Sequence, residues 1–177
     1  MAFRAEIEDF GSFYERTYPA AFRTAWAITR DRGAAADVVQ EAYVSAYRER
    51  DRFRGDAPAQ AWLLRIVVNR AVSDTRRPRP RLVQLDVVGE AAAPGDDVGR
   101  ATDHVSLDAA MRALEPRARA AVVLRYYHDL DYATIATILG TNANNAGVIL
   151  HRAVEKLRHE LGHDEPGTVV LEEVRHG

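Results

Sequence analysis

The chain has 177 residues, 47% hydrophobic and 28% charged, with no cysteine and a formal net charge of −2. These values fit a soluble globular protein of one medium or two small domains and exclude disulfides and thiolate metal sites. No apolar run approaches the roughly 20 residues that a membrane span needs.

The near-neutral total argues at first against a nucleic-acid partner, but the charge is unevenly spread. Residues 1–77 hold 13 arginines against 11 acids, and residues 105–162 hold 7 cations against 6 acids. Residues 78–104, with 3 arginines and 5 acids, and the tail from His163, with 1 arginine and 4 acids, are acidic. Of the 24 cations only Lys156 is a lysine. Arginine suits bidentate phosphate contact; a GC-rich genome produces the same bias. The start, MAFRAEIEDF, has no signal-peptide core, so a cytoplasmic location is expected.

From Phe10 onward Phe13, Tyr14, Tyr18, Ala21, Phe22, Ala25 and Trp26 recur at helical spacing, and the pattern breaks at Gly33. A second helix is expected from about Ala34 to Arg50, with Val38, Val39, Ala42, Tyr43 and Ala46 on one face. Its other side carries Asp37, Gln40, Glu41, Arg48 and Glu49. RFRGDAP reads as a loop, with Gly55 and Pro58 as breakers. A third helix is expected from about Ala57 to Arg76, bearing Trp62, Leu63, Ile66, Val67 and Val72. The stretch that follows is rich in proline, glycine, alanine and acids and cannot bury enough apolar surface to order itself.

Helical patterning resumes near Leu107 and continues to Leu161, with Pro116 at a helix start, where its missing N–H costs little. No segment reads as a strand. The expected fold class is all-α, with two small helical domains, 8–78 and 106–162. A flexible acidic linker, 79–105, joins them, and an acidic tail, 163–177, follows. Each domain is short for an independent core, so burial against a partner is expected to add stability.

DYATIATILGTNANNAGVILHRAVEKLRHEL has the pattern of a helix-turn-helix. Asp131 can cap the first helix, Ile135, Ala136 and Leu139 face inward, and Gly140 permits the tight turn. Ala146, Leu150, Ala153 and Leu157 form the stripe of the second helix, leaving Asn144, Gly147, Val148, His151 and Glu155 opposite it. That face would meet the DNA major groove. Asn144, Asn145 and His151 offer hydrogen bonds, Val148 a methyl contact, and Arg152 and Arg158 phosphate contacts. By spacing alone, a plain helical hairpin is the competing reading. His159 and His163 are four residues apart, but Gly162 is expected to end the helix between them, so no metal site is expected.

Together these segments resemble the extracytoplasmic-function (ECF) group of RNA polymerase sigma factors, in the sigma-70 family. ADVVQEAYVSAYR and AWLLRIVVNRAVSDTRR are similar to region 2, and LDAAMRALEPRARAAVVLRYYHDLDYATIATILG to region 4, in the family's order. The resemblance implies that Asp37, Gln40, Glu41 and Arg48 dock on core RNA polymerase, across its beta and beta-prime subunits. It implies minus-10 contacts for Arg65, Asn69, Arg70, Arg76 and Arg77. Cations hold phosphates there, and a pocket catches a base extruded from the stack. Asn69 matches a position that supports base capture. Trp62 reads more as core than as a stacking platform, and Phe53 is a further loop candidate. The linker is expected to run toward the polymerase active-site and RNA-exit channels.

Two departures stand out. Family members commonly open the recognition helix Gly-Thr-Val and follow it with a lysine and an arginine; here the aligned residues are Asn144, Asn145, Ala146, Gly147 and Ile149. Ser73 replaces a common aspartate, with Asp74 adjoining. Minus-35 reading through Asn144, Asn145, Val148, His151, Arg152 and Arg158 is therefore expected to be altered or weakened. The expected partners are core polymerase and promoter DNA, with an anti-sigma factor as a further regulator and no membrane. No phosphate loop, paired catalytic carboxylates or cysteine nucleophile is present, so no enzyme, catalytic residue, metal or cofactor is expected. The competing reading is a sigma-like decoy that binds an anti-sigma factor without reading a promoter.

Overall fold

The computed structural model of the chain describes residues 9–53, 55, 58–76 and 107–162. Arg77, the linker 79–105 and the tail 163–177 lie outside the described residues. Among the described residues every regular element is a helix.

Helix α1 spans Phe10–Thr29, and Asp9 caps it by accepting from the Ser12 amide at 3.2 Å. Its Pro19 lies in the interior on an exposed position, where it removes one helical N–H. The helix stops at Arg30, which turns left-handed at φ 60° and donates its N–H to the Trp26 carbonyl. Helix α2, Arg32–Glu49, starts directly after Asp31, whose carboxylate accepts from the Ala34 amide at 2.7 Å. A short 3-10 turn, Arg50–Arg52, leads toward α3, Ala59–Asp74.

These three helices pack on one another. Alanines 34, 35, 42, 46, 59 and 71 are buried and let the axes come close, while Phe13, Ile28, Val39, Leu63, Leu64, Val67 and Val68 fill the space between. Tyr43 enters the same core, and burial pushes its hydroxyl up to about 12. The Thr17 hydroxyl gives its proton to the Phe13 carbonyl, so Tyr43 can donate to it, at 2.7 Å.

The second block holds α4 at residues 107–113, α5 at Pro116–Tyr126, α6 at Tyr132–Leu139 and α7 at Ala143–Glu160. Pro116 is at the start of α5, as expected. Leu124, Ile135, Ile138, Ala146, Leu150 and Ala153 are buried. Arg117 Nη2 donates to the Leu139 carbonyl at 2.7 Å, satisfying a helix-end acceptor.

The two blocks do not sit apart. Helix α1 packs on α5 and α3 packs on α6, and one hydrophobic core runs through both blocks. Arg23 Nη1 donates to the Tyr127 hydroxyl at 2.9 Å, and Arg30 forms an ion pair with Asp108. Thr24 and His128 meet at 2.7 Å. The Thr24 hydroxyl already donates to the Ala20 carbonyl at 2.8 Å, so it accepts from His128 Nε2–H. The burial that each small block lacks is thus supplied by the other block.

Candidate functional site

The polar side of α2 faces α3 across an open groove of about 910 Å³. Asp37, Gln40, Glu41 and Arg48 line it from α2, and Asn69, Arg70 and Ser73 from α3. The helical period explains the grouping. The apolar stripe of α2 turns inward, which leaves residues 37, 40, 41 and 48 exposed along one edge. Val44, 44% exposed, and Ile66 put apolar surface inside this polar frame. Sequence reasoning missed Val44, Ser45 and Ile66; the signal was an apolar Val44 lying off the inward stripe of its own helix.

Arg70 crosses the groove. Its Nη1 lies 2.6 Å from Glu41 Oε2 and its Nη2 donates to Ser45 Oγ at 2.5 Å. A cation expected at minus-10 DNA is therefore held, in this arrangement, by a carboxylate expected at the polymerase. Arg65, Asn69 and Arg76 are exposed on α3 and the turn after it. The Phe53 and Trp62 rings pack 5.1 Å apart, with Phe53 buried and Trp62 half-buried against the core.

In the second block, Asp131 accepts from the Thr134 amide at 2.7 Å and caps α6, as expected. Those hydrogen bonds hold its carboxyl below the ordinary carboxylate value. Gly140 closes α6 at φ 64°, a conformation for which glycine carries no Cβ penalty. Helix α7 begins earlier than its apolar stripe suggested. Asn142 is its cap, accepting from the Asn145 amide at 2.8 Å, and the Asn145 side chain donates to Thr141 Oγ1 at 2.7 Å. Asparagine's preference for the cap position was the available signal.

Asn144, Asn145, Val148, His151 and Arg152 are exposed along α7, and Arg158 is half-buried. His151 Nδ1 lies 3.3 Å from Glu155 Oε2, one turn on. Gly147 faces Tyr132 of α6: a Cβ there would meet the Tyr132 ring edge at 3.9 Å, ordinary contact. Tyr132 itself is exposed, with the Arg125 guanidinium 5.5 Å from its ring centre. The two surfaces are thus an α2–α3 groove and a helix-turn-helix, borne by one compact molecule.

Comparison with known proteins matches both. Residues 13–81 fit the model of Sigma-70 region 2 and residues 104–157 that of Sigma-70 region 4. The chain is 31% identical over 169 residues to the ECF RNA polymerase sigma factor SigL of Mycobacterium tuberculosis, covering 89% of this chain and 93% of that one. The chain belongs to the ECF group of the sigma-70 family.

It is a sigma factor, a subunit that brings core RNA polymerase to promoter DNA. The RNA polymerase sigma-E factor of Streptomyces avermitilis is a further relative, 28% identical over 156 residues, with 88% of this chain and 87% of that one covered. Among solved structures, the sigma factor RpoE in complex with the anti-sigma factor NepR from Bartonella quintana matches at TM-score 0.70 and 26% identity, over 89% of this chain and 99% of that one. CnrH in complex with the cytosolic domain of CnrY shares the fold at TM-score 0.65 and 23% identity, over 88% of this chain and 89% of that one. The two region matches and the SigL relative favour the sigma factor over the decoy reading. Among the described residues no helix is long and apolar enough to cross a membrane.

Proposed function

We propose that the α2–α3 groove is where this sigma factor docks on core polymerase, with Asp37, Gln40, Glu41 and Arg48 as its contacts. The observation that supports this reading is the convergence of all four, with Asn69 and Arg70, on one open groove. Docking and strand capture would then share an edge. Asn69 takes the flipped minus-10 base, while Arg65, Arg76 and Arg77 hold phosphates. Arg70 serves first to hold Glu41 in place and contacts DNA only if that pair opens.

In the second block, Asn144, Asn145, Val148, His151, Arg152 and Arg158 read or hold upstream DNA. Asn145 does so mainly through its oxygen, since one amide hydrogen is given to Thr141. The functional units are region 2 over 8–78, linker 79–105, region 4 over 106–162 and an acidic tail over 163–177. The protein works in the cytoplasm, is not itself an enzyme and takes an anti-sigma factor as regulator.

The test is reconstituted transcription. The purified chain with core polymerase should start transcripts at discrete genomic sites. Asn69→Ala should reduce permanganate-reactive open complex about tenfold while core binding stays at the wild-type level, consistent with loss of one base-capturing contact. Random starts with the wild-type chain, or unchanged footprints with Asn69→Ala, would reject the assignment.

A further inference from the structure

Three guanidiniums gather at the seam between regions 2 and 4: Arg30 of region 2, and Arg112 and Arg119 of region 4. Asp108 of α4 serves two of them. Its Oδ1 pairs with Arg30, and its Oδ2 accepts from Arg112 Nε at 3.0 Å. The Arg30 guanidinium stacks 4.9 Å from the Trp26 ring centre with its side chain 9% exposed, and Arg119 is buried too, at 8%. Among the described residues, Arg30 Nε and Arg119 Nε are buried without a hydrogen-bond partner. Burial, with Arg112 and Arg119 nearby, draws the Arg30 guanidinium down to about 10, still cationic at neutral pH. Glu115, exposed, is the other carboxylate near Arg119, so three cations face two acids.

We propose that this cluster is a binding site for a small phosphate-type dianion, which takes the place of the Asp108 carboxylate between Arg30 and Arg112. Native proteins leave few buried donors unpaired, and a donor orphaned in the interior points to a water or an ion. Both oxygens of Asp108 are already committed, one to each arginine, and neither Nε is served by another group. A carboxylate has only two oxygens, held in one plane. A phosphoryl group brings three acceptor oxygens and nearly two negative charges, and the guanidinium fork matches it in bidentate fashion.

The cluster is open to solvent on one side. The Asp108 side chain is 36% exposed and that of Arg112 58%, while Arg30 and Arg119 are buried. An entering dianion therefore meets Arg112 first, and Asp108 turns out to water, where its charge is solvated. The exchange sets a doubly charged group among cations that folding has stripped of water, so their mutual repulsion falls. Arg30, Arg112 and Arg119 lie outside the α2–α3 groove and the helix-turn-helix. The ligand is thus a third partner, beside polymerase and DNA. Inorganic phosphate and the terminal phosphate of a nucleotide share the chemistry that the site requires.

The test is thermal unfolding of the full chain, followed by circular dichroism, in sodium phosphate against sodium chloride at matched ionic strength. Phosphate at about ten times its dissociation constant should raise the midpoint by about 3–6 °C. Arg112→Gln removes one clamp from an exposed position and should abolish the rise. Asp108→Asn removes the competing carboxylate and should bind phosphate about tenfold more tightly by calorimetry. If Asp108→Asn does not fold in chloride, phosphate should restore its helicity. A nucleoside diphosphate that binds more tightly than phosphate in the same titration assigns the site to nucleotides; weaker or equal binding assigns it to the free anion. An equal rise in wild type and Arg112→Gln is a general salt effect and overturns the site. So does a wild-type midpoint that phosphate leaves unmoved, or an Asp108→Asn chain that phosphate neither binds more tightly nor refolds. Displacement of bound phosphate by a short DNA duplex would make these arginines a DNA contact and overturn the proposal as well. The assay contains neither polymerase nor promoter, so its outcome is separate from the sigma factor reading.

Discussion

Gly147 lies on the face of α7 expected to meet DNA, and a Cβ there would meet the Tyr132 ring edge at 3.9 Å, ordinary contact. The space is loose enough that Gly147→Lys fits without a clash and removes a helix-weakening glycine, worth about 1 kcal/mol relative to alanine. The variant should bind upstream promoter DNA more tightly and steepen the salt slope by about 0.9, one phosphate contact. Filter binding across a salt series checks this; an unchanged slope would mean that position 147 does not face a phosphate.

His128 makes a pH prediction at the same scale. Burial at the seam disfavours its charged form and lowers its pKa from the ordinary 6.5. The unfolded chain then binds the proton more readily than the folded one. Stability from neutral His128 is full above the ordinary value and is lost as pH falls toward and through the depressed one. Denaturation midpoints should therefore drop between about pH 7 and about pH 5, and the drop should be smaller in His128→Asn. Equal drops in both proteins would rule His128 out as the source.

At the scale of elements, α2 is amphipathic in an unusual sense: its outer edge is neither plain solvent surface nor core. Its inward alanines and valines set the helix against α1 and α3, and that packing aims residues 37, 40, 41 and 48 into the groove. Charge reversal there should therefore leave the fold intact while removing docking. Asp37→Lys with Glu41→Lys and Arg48→Glu should lower core-polymerase affinity at least tenfold, since charged contacts at an interface govern its electrostatic fit. Glu41→Lys also breaks the pair with Arg70, an exposed contact of about 1 kcal/mol or less. Pull-down at wild-type strength by a triple variant with native helicity would remove α2 from the docking model.

For the whole molecule, the shared core predicts one cooperative unit. Both tryptophans, Trp26 and Trp62, lie in region 2, so their fluorescence follows that block and, through Arg30 on the Trp26 ring, its contact with region 4. Leu124 is fully buried in region 4, and Leu124→Ala should cost about 2–5 kcal/mol. If the blocks unfold together, that distant substitution lowers the midpoint seen by the tryptophans and the single transition is kept. A tryptophan midpoint unmoved by Leu124→Ala would show that the blocks melt separately.

Much of this protein is legible along the chain. Helix periods and breakers are local, so all-α structure, the Asp131 cap, the Gly140 turn and the inward stripe of α7 could be read from spacing alone. The polar edge of α2 and the cationic run of α3 were likewise visible, because a helix puts residues three and four apart on one face. Other features depend on which helices meet. Periodicity cannot tell which side of Trp62 is free, that Phe53 covers it, or that Arg70 reaches across to Glu41. Nor can it show that α1 closes on α5 and α3 on α6. Those contacts join residues far apart along the chain, such as Thr24 with His128. Their partners are chosen by shape and desolvation in three dimensions, and a one-dimensional pattern carries neither.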